Sequence, residues 1–287
     1  MIVNRVVIWT FLFSVIIALS FIIYFIFPPS GEMKGEILVM KGSNQNQLIK
    51  FNADNNKTET SYVEFDFPQY NPKNSNKLIA VLKRNGNQEI VELIMQNGTY
   101  QLNKVLYSNS EIKHPKISPN NTFITFIMNE ELYYLNLYTE EIFLISSRIV
   151  DYLSYDWLNE SELLFTIKEE SSGLSHIVKF NLKNKSENIF RKNASSPAMS
   201  INKEFLAYKG HGSNHVVYVE ELNSDQRAKF EIVTDEQIGL FKPSPDGNYL
   251  IANVYHYSQS DIEIINLHTK KRKKILDSIF PSSLDWR

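Results

Sequence analysis

The chain of 287 residues contains no cysteine. This absence excludes disulfide bonds, thiolate catalysis and zinc sites that are built on cysteine ligands. The chain also lacks an excess of charge of either sign, because its 30 Lys and Arg residues are matched by 32 Asp and Glu residues. A chain with this balance has no basic stripe for a nucleic acid and no acidic tail. We therefore expect no nucleic-acid partner.

A long uncharged run stands near the amino terminus. Val6 to Phe27 is 22 residues without a charged side chain. At about 1.5 Å rise per residue, a helix of this length crosses a hydrocarbon core of about 30 Å. The run ends in Ile26-Phe27-Pro28-Pro29, which lacks the small residues of a signal-peptidase site, and no cysteine follows it for a lipid anchor. The pattern predicts an uncleaved, single-pass transmembrane signal anchor.

The charges that flank this run indicate its orientation. Arg5 precedes it, whereas Glu32, Lys34 and Glu36 follow it. The positive-inside rule then places a short tail, residues 1–5, in the cytoplasm and the chain beyond the span outside the cell membrane. We expect the span at 6–27 and a linker at 28–35. The cysteine-free composition, rich in Asn, Lys and Ile, suggests a protein of the bacterial cell envelope.

The rest of the chain repeats one phrase, a turn followed by short runs of β-branched and aromatic residues. The copies are Tyr70 to Leu82, Ile117 to Ile127, Trp157 to Ile167, Met199 to Tyr208 and Pro243 to Val254. The first strongly apolar residues after the turns are Leu78, Phe123, Leu163, Phe205 and Tyr249, which are 45, 40, 42 and 44 residues apart. A period near forty with several strands per unit is typical of a β-propeller.

A sixth unit begins at Ile37 to Met40, directly after the linker. It lacks the first of its four strands. Ser283-Leu284-Asp285-Trp286 copies Ser154-Tyr155-Asp156-Trp157, which reads as such a first strand, and the chain stops there. The sequence therefore predicts an all-β, six-bladed propeller over residues 36–287, closed by a carboxyl-terminal strand at 282–287 that covers the open sheet edge of the first blade.

Two of the repeats resemble those of a known family. SPDGNYLIA at 244–252 with DIEIINL at 261–267, and GSNHVVYVEEL at 212–222, are similar to the PD40 or WD40-like repeats of TolB-like six-bladed propellers. Such propellers also form part of prolyl-oligopeptidase-type peptidases. The matched residues are turn and core positions, so the resemblance implies the fold and, more generally, an interaction module.

A prolyl-oligopeptidase-like enzyme would need a Gly-x-Ser-x-Gly elbow. The segment around Ser213 has His211 and His215 where the two glycines are required, and the six blades leave no residues for a hydrolase domain. We therefore predict no catalytic residue, cofactor or metal. The alternative is a propeller hydrolase or lyase that uses acids and histidines of the channel or of the loops.

The loops between the second and third strands of the blades are the predicted binding surface, because variable loops on a rigid scaffold commonly carry recognition. They are Lys83 to Gln88, Lys168 to Leu174, Lys209 to Asn214 and Tyr255 to Ser260. The candidate binding residues are His211, His215, Tyr255, His256 and Tyr257. His176 lies near the same loops, but without a helix the spacing of the histidines does not align them for a metal.

Two further features have predicted places in the propeller. Asp156-Trp157 and Asp285-Trp286 should lie on innermost strands, with the indoles between blades and the carboxylates bound to backbone amides or lining the channel. The basic run Lys270, Lys271, Arg272, Lys273 and Lys274 is either a solvated hairpin or a turn that faces anionic lipid.

The function predicted from the sequence is that of a membrane-anchored, extracytoplasmic propeller. Its expected partners are the membrane, through the amino-terminal helix, and an unknown protein or cell-envelope polymer, through the loops.

Overall fold

The computed structural model describes residues 33–42, 46–149, 155–210, 212–223, 229–257 and 259–287. Residues Lys34 to Arg287 form one compact unit. This unit is a six-bladed β-propeller, and its six sheets each contain four antiparallel strands. No helix long and apolar enough to cross a bilayer occurs among the described residues. The predicted span at 6–27 lies outside them.

The strands follow the chain in groups of four, named A to D from the centre of the ring outwards. Blade 1 contains β1 (Glu36–Lys41), β2 (Gln47–Asn52) and β3 (Lys57–Tyr62); blade 2 contains β4 (Phe65–Asn71), β5 (Asn74–Arg84), β6 (Asn87–Gln96) and β7 (Thr99–Asn109). Blade 3 contains β8 (Lys113–Ile117), β9 (Phe123–Met128), β10 (Glu131–Asn136) and β11 (Ile142–Ser146); blade 4 contains β12 (Asp156–Trp157), β13 (Glu162–Lys168), β14 (Ser175–Asn181) and β15 (Ser186–Arg191). Blade 5 contains β16 (Ala194–Met199), β17 (Phe205–Gly210), β18 (Val216–Glu221) and β19 (Lys229–Val233); blade 6 contains β20 (Gln237–Pro243), β21 (Tyr249–His256), β22 (Gln259–Asn266) and β23 (Arg272–Leu276). The last strand, β24 (Pro281–Trp286), is strand A of blade 1.

The antiparallel order of each blade gives the propeller two distinct faces. The B to C loops and the connections between blades lie on one face, which we call the loop face. The A to B and C to D turns lie on the other, which we call the turn face. Apolar side chains from neighbouring sheets fill the space between the blades; between blades 5 and 6, for example, Val217 and Ile232 share a cluster with Ala252 and Val254. Because each sheet buries its faces on its neighbours, a blade is stable only within the ring.

The repeated phrase encodes the A to B turn. Ser118, Ser200 and Ser244 are buried, and each hydroxyl oxygen accepts a hydrogen bond from the backbone N–H that begins strand B. Blade 4 has no such serine. Its Asn159 side chain instead accepts bonds from the backbone N–H groups of Ser161 and of Glu162, the first residue of β13, at 3.0 and 2.9 Å. The departure of blade 4 from the phrase therefore preserves the turn by another side chain.

Two of the expected B to C loops are tight hairpins. β5 and β6 pair as far as Arg84 and Asn87, which leaves a two-residue turn, Asn85-Gly86, where the sequence analysis expected a loop from Lys83 to Gln88. Both turn residues have positive φ, 51° and 81°, as a type I′ turn requires. β21 and β22 likewise pair as far as His256 and Gln259. Of the four loops named in the sequence analysis, those of blades 4 and 5 are the longer ones.

Strands from both ends of the described chain share the sheet of blade 1. β24 pairs with β1, and the backbones of Glu36 and Arg287 exchange two hydrogen bonds of 3.0 and 3.1 Å. The indole N–H of Trp286 donates to the carbonyl of Lys34 at 3.0 Å, and its ring is fully buried. This pairing covers the inner edge of β1, which would otherwise be an unpaired strand edge.

Gly35 stands at the tightest point of this closure. Its φ is +100°, and a Cβ there would overlap the carbonyl oxygen of Arg287. Gly86 has a similar φ of +81°, but a Cβ there would meet nothing within 4 Å. Gly86→Ala should therefore cost about 1 kcal/mol from the backbone alone, and Gly35→Ala should cost at least twice as much. Thermal unfolding of the two full-length variants in detergent checks this, and equal melting temperatures would contradict it.

Candidate functional site

The innermost strands surround a central channel, and one position near the turn-face end of each strand forms a ring of side chains around it. Strand pairing aligns these positions. In five blades each is the residue before the last A-strand residue to pair with strand B. In blade 2 the pairing extends one residue further, to Asn71, after a register shift, and Gln69 takes the equivalent place. In ring order they are Asp285, Gln69, Lys116, Asp156, Ala198 and Lys242. Charges of opposite sign thus alternate over much of the ring, which we call the channel ring.

The charged members of the channel ring are buried and connected by ion pairs. Lys242 Nζ lies 2.9 Å from Oδ2 of Asp156 and 3.4 Å from Oδ1 of Asp285. Lys203, from the A to B turn of blade 5, reaches Oδ1 of Asp156 at 3.3 Å. It supplies the charge that Ala198 of the same blade lacks. Lys116 Nζ lies farther away, 4.0 Å from Oδ2 of Asp156.

Backbone groups hold the two aspartates in place. Asp156 accepts a hydrogen bond from the N–H of Met199, and Asp285 accepts one from the N–H of Tyr70, both at 3.0 Å. Each carboxylate thereby links its own innermost strand to that of the next blade. The indole of Trp157 is buried between blades and donates to the carbonyl of Lys116 at 3.0 Å. The roles predicted for the two Asp-Trp pairs are confirmed.

Burial and pairing act on the pKa values of the ring in opposite directions. Burial alone would raise the pKa of Asp156, but the ammonium groups of Lys203, Lys242 and Lys116 outweigh it and hold that pKa well below its usual range. Burial would lower the pKa of Lys242, yet Asp156 and Asp285 together raise it. Lys116 has weaker compensation, and burial lowers its pKa to about 8. Lys116 is therefore the ring member whose charge responds to pH in the neutral range.

The channel above the ring has walls of mixed character, in which Ser196, Ser282 and Ser283 stand beside apolar side chains. Phe67, Pro115, Pro197, Phe241 and Leu284 line it, and they belong to five different innermost strands. His114 also lines it and packs against Phe67, with 4.1 Å between the ring centroids and an angle of 52° between the ring planes. Burial, with Lys116 and Lys113 nearby, lowers the pKa of His114 to about 3, so its imidazole is neutral at physiological pH. The free space is about 40 Å³.

Exposed apolar side chains occur on the loop face of blades 5, 6 and 1, which are consecutive in the ring. We call this set the apolar loop patch; it consists of Tyr62, Val233, Tyr255, Tyr257 and Phe280. The rings of Tyr255 and Phe280 lie 6.2 Å apart. On the turn face, the exposed large apolar residue of the described chain is Tyr138, in the C to D turn of blade 3. Aromatic side chains exposed together on one face are typical of an interaction surface.

The structure places the predicted loop residues apart from one another. Tyr257 stands fully exposed at the tip of the β21–β22 hairpin, whereas Tyr255 and His256 point to opposite sides of that sheet. His215 is half-buried before β18, and its Nδ1 is buried without a hydrogen-bond partner among the described residues. His211 lies outside the described residues. His176 is buried in β14, where its Nδ1 accepts a bond from the N–H of Asn193.

His256 belongs to a charged cluster at the loop-face end of blade 6. Its ring nitrogens lie 3.6 Å from carboxylate oxygens of Glu236, Asp261 and Glu263. Ligand atoms of His256, Asp261 and Glu263 lie within 4.8 Å of one another, the chemistry of a metal site. However, Arg272 Nε donates to Glu263 at 2.6 Å, and Lys274 Nζ lies 3.3 Å from Asp261. Cations of the same blade already neutralise these two carboxylates.

The basic run is the C to D turn of blade 6 and the start of β23, so it begins on the turn face. Arg272 and Lys274 are paired as described above. Lys273 Nζ donates to the side chain of Asn56 in blade 1 at 2.5 Å, and Lys270 Nζ donates to the carbonyl of Glu231 at 2.8 Å. Lys271 is exposed. That this turn faces a membrane stays a prediction.

The sequence analysis missed the lysines of the channel ring, although a signal was present. Lys116 and Lys242 stand at the same place in their repeats, two residues before the turn serine, and Asp156 and Asp285 occupy the equivalent place in theirs. Comparing this one column across the repeats would have revealed alternating charges at an inward-facing position. Lys203 has no such signal, since it lies in a turn and reaches the ring only through the tertiary fold.

Comparison with known proteins finds no matching family profile and no matching curated protein. Solved structures match over most of the chain. TolB from Acinetobacter baumannii has a TM-score of 0.67 and 17% identity, covering 89% of this chain and 67% of that one. A TolB candidate from Agrobacterium tumefaciens has a TM-score of 0.60 and 12% identity, covering 88% and 91%. A chain of the nidogen/laminin complex has a TM-score of 0.60 and 8% identity, covering 88% and 98%. The chain thus has the fold of TolB-like six-bladed propellers.

Proposed function

We propose that the chain is a membrane-anchored, extracytoplasmic propeller that binds a protein partner on its loop face. The observation that carries this proposal is the apolar loop patch. Its exposed tyrosines and Phe280 provide large contact area with few rotatable bonds, which is typical of residues that dominate protein interfaces. The fold supports a binding role, because a similar propeller was solved within the nidogen/laminin complex. A protein is therefore favoured over an envelope polymer.

The anchoring part of the proposal rests on the amino-acid sequence. The uncharged run from Val6 to Phe27 is long enough to cross a bilayer, and Arg5 before it favours a cytoplasmic amino terminus. The propeller would then stand outside the membrane, where the loop face meets other envelope proteins.

The absence of cysteine allows one experiment to test both parts. Tyr257→Cys and Tyr138→Cys each introduce a single thiol at an exposed tyrosine, the first on the loop face and the second on the turn face. In spheroplasts of cells that make the full chain, a membrane-impermeant maleimide should label both variants. A photoactivatable maleimide should then cross-link a discrete partner protein from position 257 and none from position 138, as read by gel mobility and mass spectrometry.

A second variant shows whether the patch itself binds the partner. Phe280→Ser in the Tyr257→Cys background should reduce the yield of the cross-link several-fold without lowering the melting temperature, since Phe280 is more than half exposed. Thiols that react only after the membrane is permeabilised would place the propeller in the cytoplasm. Equal cross-linking from both positions would show that the loop face has no special role.

A further inference from the structure

The floor of the central channel carries more positive than negative charge. Three ammonium groups, those of Lys116, Lys203 and Lys242, share the two carboxylates of Asp156 and Asp285. One positive charge therefore has no matching carboxylate among the described residues. A buried charge without a partner is unfavourable, so an anion that entered the channel would be attracted to this place.

The unmatched charge belongs to Lys116. Lys203 and Lys242 both lie within hydrogen-bond distance of Asp156, whereas Nζ of Lys116 is 4.0 Å from the nearest carboxylate oxygen. No group in the described part of the chain accepts a hydrogen bond from this ammonium, which otherwise lies 5.1 Å from the centroid of the Tyr155 ring. Lys116 is only 9% exposed and lines the channel. It thus lacks a hydrogen-bond acceptor among the described residues, and its Nζ is open to the channel rather than fully enclosed.

The space above Lys116 is large enough for a carboxylate group, and the rest of a ligand would extend up the channel. Its volume of about 40 Å³ admits a few atoms of the size of water, and not a folded element. The innermost strands run from the loop face to the turn face, and the ring lies near their turn-face ends. The apolar wall of Phe67, Pro197 and Phe241 therefore lies between the ring and the loop face.

We propose that the channel floor is a carboxylate-binding site, entered from the loop face, in which Lys116 is the main charged contact. The carboxylate is that of a peptide carboxyl terminus or of a small organic acid, with its apolar part against the channel wall. The inference shares with the proposed function only the use of the loop face as the entrance.

The test is a titration of the full chain, in detergent micelles, with three probes. Saturation-transfer NMR measures the binding of each probe. The probes are acetyl-dialanine with a free carboxylate, the same peptide as its amide, and acetate. The free acid should bind at least tenfold more tightly than the amide. If the free-acid peptide binds more tightly than acetate, the site recognises a peptide carboxyl terminus. If the two bind with equal affinity, the site recognises a small organic acid.

Matched lysine variants separate a local site from a general effect of charge. Lys116→Met should weaken binding of the acid at least tenfold. Lys113→Met removes the same charge from an exposed position of the same strand and should leave binding unchanged. Lys116→Met should also keep or raise the melting temperature, because two lysines then face two aspartates in the ring.

The affinity should also depend on pH. Lys116 loses its proton as the pH rises through about 8, so binding of the acid should weaken above that value. The other groups that face Lys116 are Asp156, Asp285, Lys203, Lys242, the ring of Tyr155, whose pKa burial raises, and His114, which is neutral throughout this range. Burial lowers the pKa of Lys203 as well, so the loss of affinity is assigned to Lys116 only if Lys116→Met abolishes the pH dependence.

Three results would overturn the proposal: equal affinity for acid and amide, undiminished binding by Lys116→Met, or a large loss of stability in that variant. The last would mean that Lys116 serves as a structural counter-ion. The outcome is independent of the cross-linking experiment. Binding of the acid without a cross-linked partner would contradict only the proposed function. A cross-linked partner without binding of the acid would contradict only the carboxylate site.

Discussion

Deletion of residues 282–287 should destabilise the propeller by more than any single surface substitution. The deletion removes most of β24, empties the space that the buried indole of Trp286 fills, and leaves the inner edge of β1 unpaired. Loss of a buried tryptophan alone costs about 3–5 kcal/mol. The deletion also removes Asp285, one of two carboxylates in the channel ring. We therefore expect a loss at or above the upper end of that range, together with aggregation through the exposed edge.

The measurement is thermal and denaturant unfolding of the full-length and truncated chains in the same detergent. Trp286→Ala tests the contribution of the indole with the strand retained. Phe280→Ser is the matched control, because it removes an aromatic ring from the same segment at an exposed position, where the change should stay within about 0.5 kcal/mol. A truncated chain with the melting temperature of the full chain would show that β24 does not close the ring in solution.

Asp156→Asn should have an effect of similar size through electrostatics. Asp156 contacts Lys116, Lys203 and Lys242, and it is 4% exposed. Without its charge, three buried ammonium groups would share the single carboxylate of Asp285. Removing one partner of a buried pair costs about 3–5 kcal/mol, largely because the other charge stays buried. The variant should therefore unfold at a much lower temperature than the wild type.

A second substitution distinguishes charge from packing. If uncompensated charge causes the loss, Lys242→Met added to Asp156→Asn should restore part of the stability. If a packing defect causes it, the double variant should be less stable than Asp156→Asn alone. The sign of the pH effect is also defined. Because the pKa of Asp156 is depressed in the folded chain, its contribution is complete above the unfolded value of about 3.9 and is lost only as the pH falls below that value. Ionisation of Asp156 itself should thus leave the stability gap between Asp156→Asn and wild type unchanged from pH 5 to pH 7. Asp156 also raises the pKa of Lys116, so a narrowing of the gap as the pH rises would report loss of the Lys116 proton in the variant.

Strand positions were largely predictable because their signals are local. Pro245-Asp246-Gly247 predicts a tight turn, and Gly247 has the positive φ of 67° that such a turn uses. The strands expected at Ile37 to Met40 and at 282–287 are β1 (Glu36–Lys41) and β24 (Pro281–Trp286), which differ from expectation by one residue at each end. The tight hairpin at Asn85-Gly86 was also encoded locally, although the sequence analysis treated it as a loop.

The candidate sites were less predictable because their residues meet only through the ring. His256 looked like a loop residue, yet it ends β21 beside Glu236, which comes from the connection between blades 5 and 6. The charges in the channel come from the aligned ring positions and also from Lys203, which lies in a turn. No short segment of sequence contains these groups together, so their ion pairs and pKa values depend on distances that only the closed propeller sets.

The amino-acid sequence by itself determined the number of blades, the order of strands and the Asp-Trp contacts between blades, because turn chemistry and alternating apolar residues act over a few positions. The tertiary structure decided which charges face one another in the channel and that Lys116 lies farthest from a carboxylate. The physical reason is burial: the energy of a charge depends on its distance to every other charge in a low-dielectric interior, and residues about forty positions apart acquire those distances only when the ring closes.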